Sequence, residues 1–161
     1  MHRRLLILLT AIAAAFAAVS CETDVREGII NQDKYIDTYI QNNFADFEVV
    51  RDRGICRVVL VDTLAGVPSI EKGDSTYLFL IGYTFGQNGP VSQFVRDSGM
   101  FRVGSGDLIP GLDRGLVGAH LGQEALVVFS SENGYGNQQV GLVPENTALL
   151  FEVLVAAIKK N

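Results

Sequence analysis

The spacing of apolar and polar positions changes twice along the chain. Leu5 to Val19 is a run of 15 residues with Thr10 as its polar interruption. After a polar stretch, Ile36, Tyr39, Ile40 and Phe44 recur at three- and four-residue intervals. That period predicts an amphipathic helix over 31–48, with Asn31 or Asp33 able to cap its start. From Val49 the helical period gives way to segments rich in β-branched residues. Val49–Asp62 predicts one or two strands broken near Arg53-Gly54, Thr76–Phe85 another, and Gly99–Val103 a short one. Gln123–Phe129 and Ala148–Ile158 predict the last strands. Turn formers separate these segments: Gly66 with Pro68, the cluster Gln87-Asn88-Gly89-Pro90, and a glycine-dotted loop through 134–141. Pro110–Leu116 predicts a short helix with Pro110 at its first position. Mostly antiparallel strands, one brief helix and no βαβ alternation indicate an α+β domain over 49–161. The helix before it has one apolar stripe and is expected to dock on that domain.

The first apolar run follows Arg3 and Arg4 and is short of the roughly 20 residues that span a bilayer. It matches the apolar region of an export signal. It stops at Ala18-Val19-Ser20-Cys21, where small residues precede a cysteine. This resembles the bacterial lipobox, with Ala18 where leucine is usual. The resemblance implies a signal peptide over 1–20, lipid attachment at Cys21, and a tether over 21–30. The domain would then sit in the bacterial cell envelope, lipid-anchored to the outer membrane on its periplasmic or surface side. Two acyl chains suffice for stable anchoring where one does not. Glu22 and Asp24 resemble a signal for display on the outer leaflet. A plain secretory signal with an unrelated cysteine is the alternative.

Composition narrows the function classes. Hydrophobic residues make up 48% of the chain, too many for a disordered one. Loss of residues 1–20 removes two of 13 basic residues and none of 18 acidic ones, leaving a net charge of −7. Such a surface repels phosphate backbones and argues against a nucleic-acid partner. Cys56 lies in the apolar run Ile55–Val61 with no His or Cys neighbour, which suits a buried strand thiol and offers no metal site. Gly104-Ser105-Gly106 fails as a phosphate loop because Ile109 stands where the third glycine belongs. Ser130 and Ser131 lack a nucleophile elbow, and His120 lies in a turn, so a Ser-His-Asp hydrolase is not supported. Nothing calls for a metal or an organic cofactor.

The informative segment starts at residue 104. It runs Gly104-Ser105-Gly106-Asp107-Leu108-Ile109-Pro110-Gly111-Leu112-Asp113-Arg114-Gly115, then Gly122-Gln123-Glu124 and Gly134-Tyr135-Gly136. Val143-Pro144-Glu145-Asn146 and Leu149-Leu150-Phe151-Glu152-Val153 close it. These cues, in this order, resemble the FKBP-type peptidyl-prolyl isomerase family over roughly residues 70–160. The resemblance implies an FKBP-like fold, with a curved antiparallel sheet of about five strands around one short helix. It also implies a proline pocket lined by Leu108, Ile109, Leu112 and Phe151. The Ile109 N–H and the Tyr135 hydroxyl would hold substrate carbonyls, Leu142 and Val143 would form a lip, and Phe101 and Phe94 would be side walls. Partners would be proline-containing polypeptides, bound by a monomer. Two departures mark the upstream half of the pocket: Leu80 stands where the family has Tyr, and Val95 where it has Asp. Tyr83 substitutes only if the register slips, and Asp97 only if it reaches round. Two function classes follow: a prolyl isomerase or foldase for exported proteins, or a catalytically weak or inactive lipoprotein of the same fold that binds peptides or proteins.

Overall fold

The computed structural model describes residues 28–63 and 66–161. Helix α1 covers 28–43. Strands β1 (Glu48–Asp52), β2 (Ile55–Val61), β3 (Ser75–Gly86) and β4 (Gly89–Arg102) follow. Then come α2 (Pro110–Gly115), β5 (Glu124–Phe129), a single 3-10 turn (Ser131–Asn133) and β6 (Ala148–Lys159). The strands form one antiparallel sheet in the order β1-β2-β5-β6-β3-β4. Arg53 and Gly54 join β1 to β2 with positive φ at both positions, 43° and 78°. That is the twist a two-residue hairpin requires.

Strand periodicity sends alternate residues to opposite faces, and here both faces are covered. Val127 and Phe129 of β5 join Ile55, Leu78, Leu149 and Phe151 in the core beneath α2. Leu126 and Val128 join Cys56, Val58, Phe85 and Leu150 in a second core, beneath Ile36 and Ile40 of α1. This is why β5 reads as a continuous apolar run rather than an alternating one. Two glycines let α2 lie close to the sheet. A Cβ on Gly111 would fall 2.5 Å from the Phe129 ring, and one on Gly115 would fall 2.7 Å from Val127 Cγ1.

The α+β architecture and the docked N-terminal helix agree with the sequence pattern, with three differences in extent. Helix α1 ends at residue 43 and turns through 44–47, while residues 28–30, expected in a tether, belong to it. The sheet has six strands rather than about five. Strand β4 begins at Gly89, ten residues before the short segment expected at Gly99. It is an edge strand with a polar sequence, and the register shifts between Gly82 and Tyr83 leave Phe94 as an extra residue opposite them. A bulge breaks the two-residue period that would have revealed the strand.

Candidate active site

A cleft of about 340 Å³ opens between α2, the β4 edge and the loop before β6. Its size falls within the range of small-ligand sites. Leu108, Ile109, Leu112, Tyr135, Phe151, Phe101, Phe94 and Leu142, the residues implied by the motif apart from Val143, all line it. The floor is aromatic: Phe151 stacks on Phe129 with centroids 6.0 Å apart and meets Phe94 edge-on at 5.6 Å. The β4 bulge turns both Phe94 and Val95 inward over Gly82. A Cβ at Gly82 would stand 2.6 Å from Val95 Cγ1, 2.7 Å from Phe151 Cε1 and 2.9 Å from Phe94 Cζ.

The turn into α2 places Ile109 in the lining of the cleft. Ile109 precedes Pro110 in an extended conformation (φ −60°, ψ 150°), and its carbonyl accepts the Asp113 N–H at 2.9 Å. The Ile109 N–H has no hydrogen-bond partner among the described residues. Several contacts fix the helix. Asp113 accepts the Gly104 N–H at 2.7 Å and the Gly106 N–H at 3.3 Å, which ties the preceding loop to the helix. Asp107 accepts the Arg102 N–H at 3.0 Å. At the other end Arg57, 5% exposed on β2, donates from Nη1 to the Gly115 and Val117 carbonyls at 2.7 and 2.8 Å. A cation at the helix C-terminus meets its negative end and satisfies carbonyls that have no helical partner.

Tyr135 provides the second polar group. Its turn is closed by the Gly136 N–H donating to the Ser131 carbonyl at 2.8 Å. The ring is half-buried and packs against the core beneath α2. No hydrogen bond among the described residues engages its hydroxyl, and burial raises its pKa above the ordinary phenol value. The hydroxyl therefore stays protonated at neutral pH, on a residue that lines the cleft. Arg114 Nη2 donates to Asn133 Oδ1 beside this turn.

The lip differs from expectation. Val140 and Val143 pair across a tight turn through reciprocal N–H to carbonyl bonds of 3.0 and 2.9 Å. The turn carries Leu142 outward to 79% exposure and presses Val143 into the core at 1%. Val143 is thus a buried support, and the lip is Val140, Gly141 and Leu142. Val140, Gly141 and Asp107 were missed by the motif; the apolar spacing at 140, 142 and 143 does not say which residue turns in. The upstream wall is filled by Leu80 and Val95, with Asp97 beside them. Asp97 pairs with Leu80 across β3 and β4, so it shares the cleft face. Tyr83 packs in the core beneath α1, because the bulge falls on β4 and leaves β3 in step. Cys21 lies outside the described residues.

Comparison with known proteins agrees with this geometry. The family model for FKBP-type peptidyl-prolyl cis-trans isomerase matches residues 69–156. FK506-binding protein 1B of Aspergillus fumigatus is 34% identical over 100 residues, covering 56% of this chain and 83% of the relative. FkpA from Escherichia coli superposes with a TM-score of 0.66 at 20% identity, over 98% of this chain and 71% of that one. A peptidyl-prolyl cis-trans isomerase from Pseudomonas syringae pv. tomato gives 0.66 at 19% identity, over 84% and 96% of the two chains. The structural likenesses at these identities speak for the fold; the family match, which spans more than half of the sequence, speaks for descent. The chain belongs to the FKBP-type peptidyl-prolyl cis-trans isomerase family.

Proposed function

We propose that the cleft under α2 is the proline pocket of a peptidyl-prolyl cis-trans isomerase that acts on exported polypeptides. One observation carries it: the Ile109 N–H and the Tyr135 hydroxyl, neither engaged among the described residues, belong to residues of a cleft with an apolar floor and a lining that matches the family motif, Asp97 and Asp107 being its charged members. Rotation about an X–Pro bond is slow because it destroys amide resonance, against a barrier of about 18–20 kcal/mol. No nucleophile, proton transfer or cofactor is needed. The twisted amide is less charge-separated than the planar one, so a dry apolar floor of Leu112, Phe151 and Phe94 favours it. Fixed donors at Ile109 and Tyr135 hold the neighbouring carbonyls while the bond turns. The same reading has the chain anchored through a lipid on Cys21 in the outer membrane of the cell envelope, acting as a monomer.

The test is two-dimensional exchange spectroscopy on X-Pro peptides with the full chain in detergent. Faster exchange that falls modestly in Tyr135→Phe, which keeps the apolar floor, and strongly in Leu112→Asp supports the isomerase. For the anchor, Cys21→Ala should leave the membrane fraction; its continued sedimentation with membranes would place the anchor elsewhere. A second reading is favoured by the wall: Leu80 and Val95 supply no hydroxyl or carboxylate where the family has Tyr and Asp. A weakly active or inactive peptide-binding lipoprotein would show saturable peptide binding without acceleration of exchange.

A further inference from the structure

Gln32 lies on α1, outside the segment that matches the family, and is 7% exposed. Both ends of its amide are engaged. Its Oε1 accepts the Ser131 N–H at 2.7 Å, and its Nε2 donates to the Asn146 carbonyl at 2.7 Å. Backbone bonds join those two loop residues to each other. The Gly136 N–H donates to the Ser131 carbonyl at 2.8 Å, and the Asn146 N–H donates to the Gly136 carbonyl at 2.7 Å. The four bonds close a ring from Gln32 to Ser131, Gly136, Asn146 and back. Tyr135 lies in the first arc of this ring, and the lip residues Val140, Gly141 and Leu142 hang from the second.

Docking α1 does not require this arrangement. Ile36 and Ile40 continue the same stripe at four-residue spacing and are each 2% exposed, so an apolar residue at position 32 would extend the stripe but leave the Ser131 N–H without its acceptor. A glutamine there buries an amide, which is unfavourable unless donor and acceptor are both satisfied. Both are satisfied by the loop. Asn146 also holds a left-handed conformation, φ 52°, that a residue with a side chain adopts at a cost. The Gln32 contact to its carbonyl helps to hold it there.

We infer that Gln32 is a positioning residue of the isomerase site. It completes the ring that fixes the Tyr135 hydroxyl and the lip over the cleft, which makes α1 a working part of the pocket. The inference rests on the cleft being the isomerase site, as proposed above.

The test is a double-mutant cycle in the full chain, with kcat/KM read by exchange spectroscopy and backbone amide exchange read in parallel. Gln32→Met removes both contacts at similar volume and should lower kcat/KM roughly 3- to 10-fold, because small misplacements of a positioned group are costly. In a Tyr135→Phe background most of that loss should vanish, since the hydroxyl being positioned is gone. Gln32→Glu keeps an acceptor for Ser131 but turns a carboxylate oxygen toward the Asn146 carbonyl, so it should not restore the lost activity at neutral pH. Amides of Ser131, Gly136 and Asn146 should exchange faster in Gln32→Met, with those of β5 and β6 unchanged. If Gln32→Met fails to fold, Gln32→Glu carries the test: a loss in kcat/KM that shrinks in the Tyr135→Phe background supports the role, and wild-type turnover or an undiminished loss there overturns it. Wild-type turnover in Gln32→Met, or an equal fold-loss in both Tyr135 backgrounds, overturns the role of Gln32 while leaving the isomerase intact. An inactive wild-type chain overturns the isomerase itself, and this inference with it.

Discussion

Gly82→Ala places one methyl group beneath three residues that line the cleft, and its consequences can be worked from the geometry. The new Cβ would stand under 3.0 Å from Val95 Cγ1, Phe151 Cε1 and Phe94 Cζ, closer than carbon atoms approach. Gly82 does not occupy the left-handed region, so the backbone accepts alanine, and loss of strand glycine entropy favours the variant by about 0.5–1 kcal/mol. Overpacking opposes this by about 1–3 kcal/mol. The net loss is about 0–2.5 kcal/mol, at most several degrees in Tm for a chain of this size. The relief falls unevenly. Phe151 is buried and stacked on Phe129, whereas Phe94 is half-buried at the cleft edge. Phe94 therefore swings into the space where the proline ring would lie. A loss of roughly tenfold or more in kcat/KM, about 1.4 kcal/mol of transition-state stabilisation, is expected from exchange spectroscopy. Gly86→Ala serves as the control. Its Cβ would meet Val91 Cγ2 at 3.0 Å, but Val91 is exposed and free to move, and the site lies outside the cleft. A folded Gly82→Ala protein with wild-type turnover would refute the placement of the proline pocket.

Three further outcomes are expected. Arg57→Met strips the Gly115 and Val117 carbonyls of their donor and should lower unfolding stability by about 2–4 kcal/mol in urea, with Arg57→Lys intermediate; equal midpoints for all three proteins would show that the clamp is idle. Burial pushes the Cys56 thiol up to about 11, outweighing the Arg51 guanidinium 2.9 Å from Sγ. The unfolded chain releases this proton from roughly pH 8.5 and the native chain does not, so stability linked to Cys56 is present below that pH and is lost as pH climbs toward the folded value. Wild type should therefore lose more stability than Cys56→Val between neutral and strongly alkaline solution, and parallel curves would contradict this. Asp97 and Asp107 are the charged residues lining the cleft. Peptides with Lys before proline should turn over about two- to fivefold faster than those with Glu at low salt, converging at high salt as exposed charges are screened. Persistence of the difference in Asp97→Asn/Asp107→Asn would assign it elsewhere.

What the sequence makes legible follows the range of the forces involved. The Arg53-Gly54 hairpin, the Pro110 helix and the alternation of β3 are local, and each is visible in a few residues. The Gly134-Tyr135-Gly136 turn is local too, which is why motif spacing finds Tyr135. The first ten residues of β4 are missed because its outer edge faces solvent and its bulge spoils the period, while its end at Gly99–Arg102 is legible. Val143 is misjudged because only the pairing of Val140 with Val143 decides which side of the lip turns inward. Gln32 leaves no signal at all. It sits as one polar residue on a helix, and its partners lie 99 and 114 residues further along the chain.

The altered upstream wall bears on catalysis less than it bears on affinity. Leu80 and Val95 replace polar groups on the β3–β4 side, yet the two donors that border the cleft come from elsewhere: Ile109 from the turn into α2, and Tyr135 from the turn after β5. Each is held by contacts independent of that wall, namely Asp113 and Arg57 for the helix and Gln32, Ser131 and Asn146 for the turn. An apolar wall also dries the cleft further, and a drier cleft favours the twisted amide. On the proposed isomerase reading, the substitutions therefore remove recognition of polar substrate atoms while preserving what the rotation needs. Expected behaviour is weak peptide binding with measurable turnover, the opposite of a module that retains affinity and loses the chemistry.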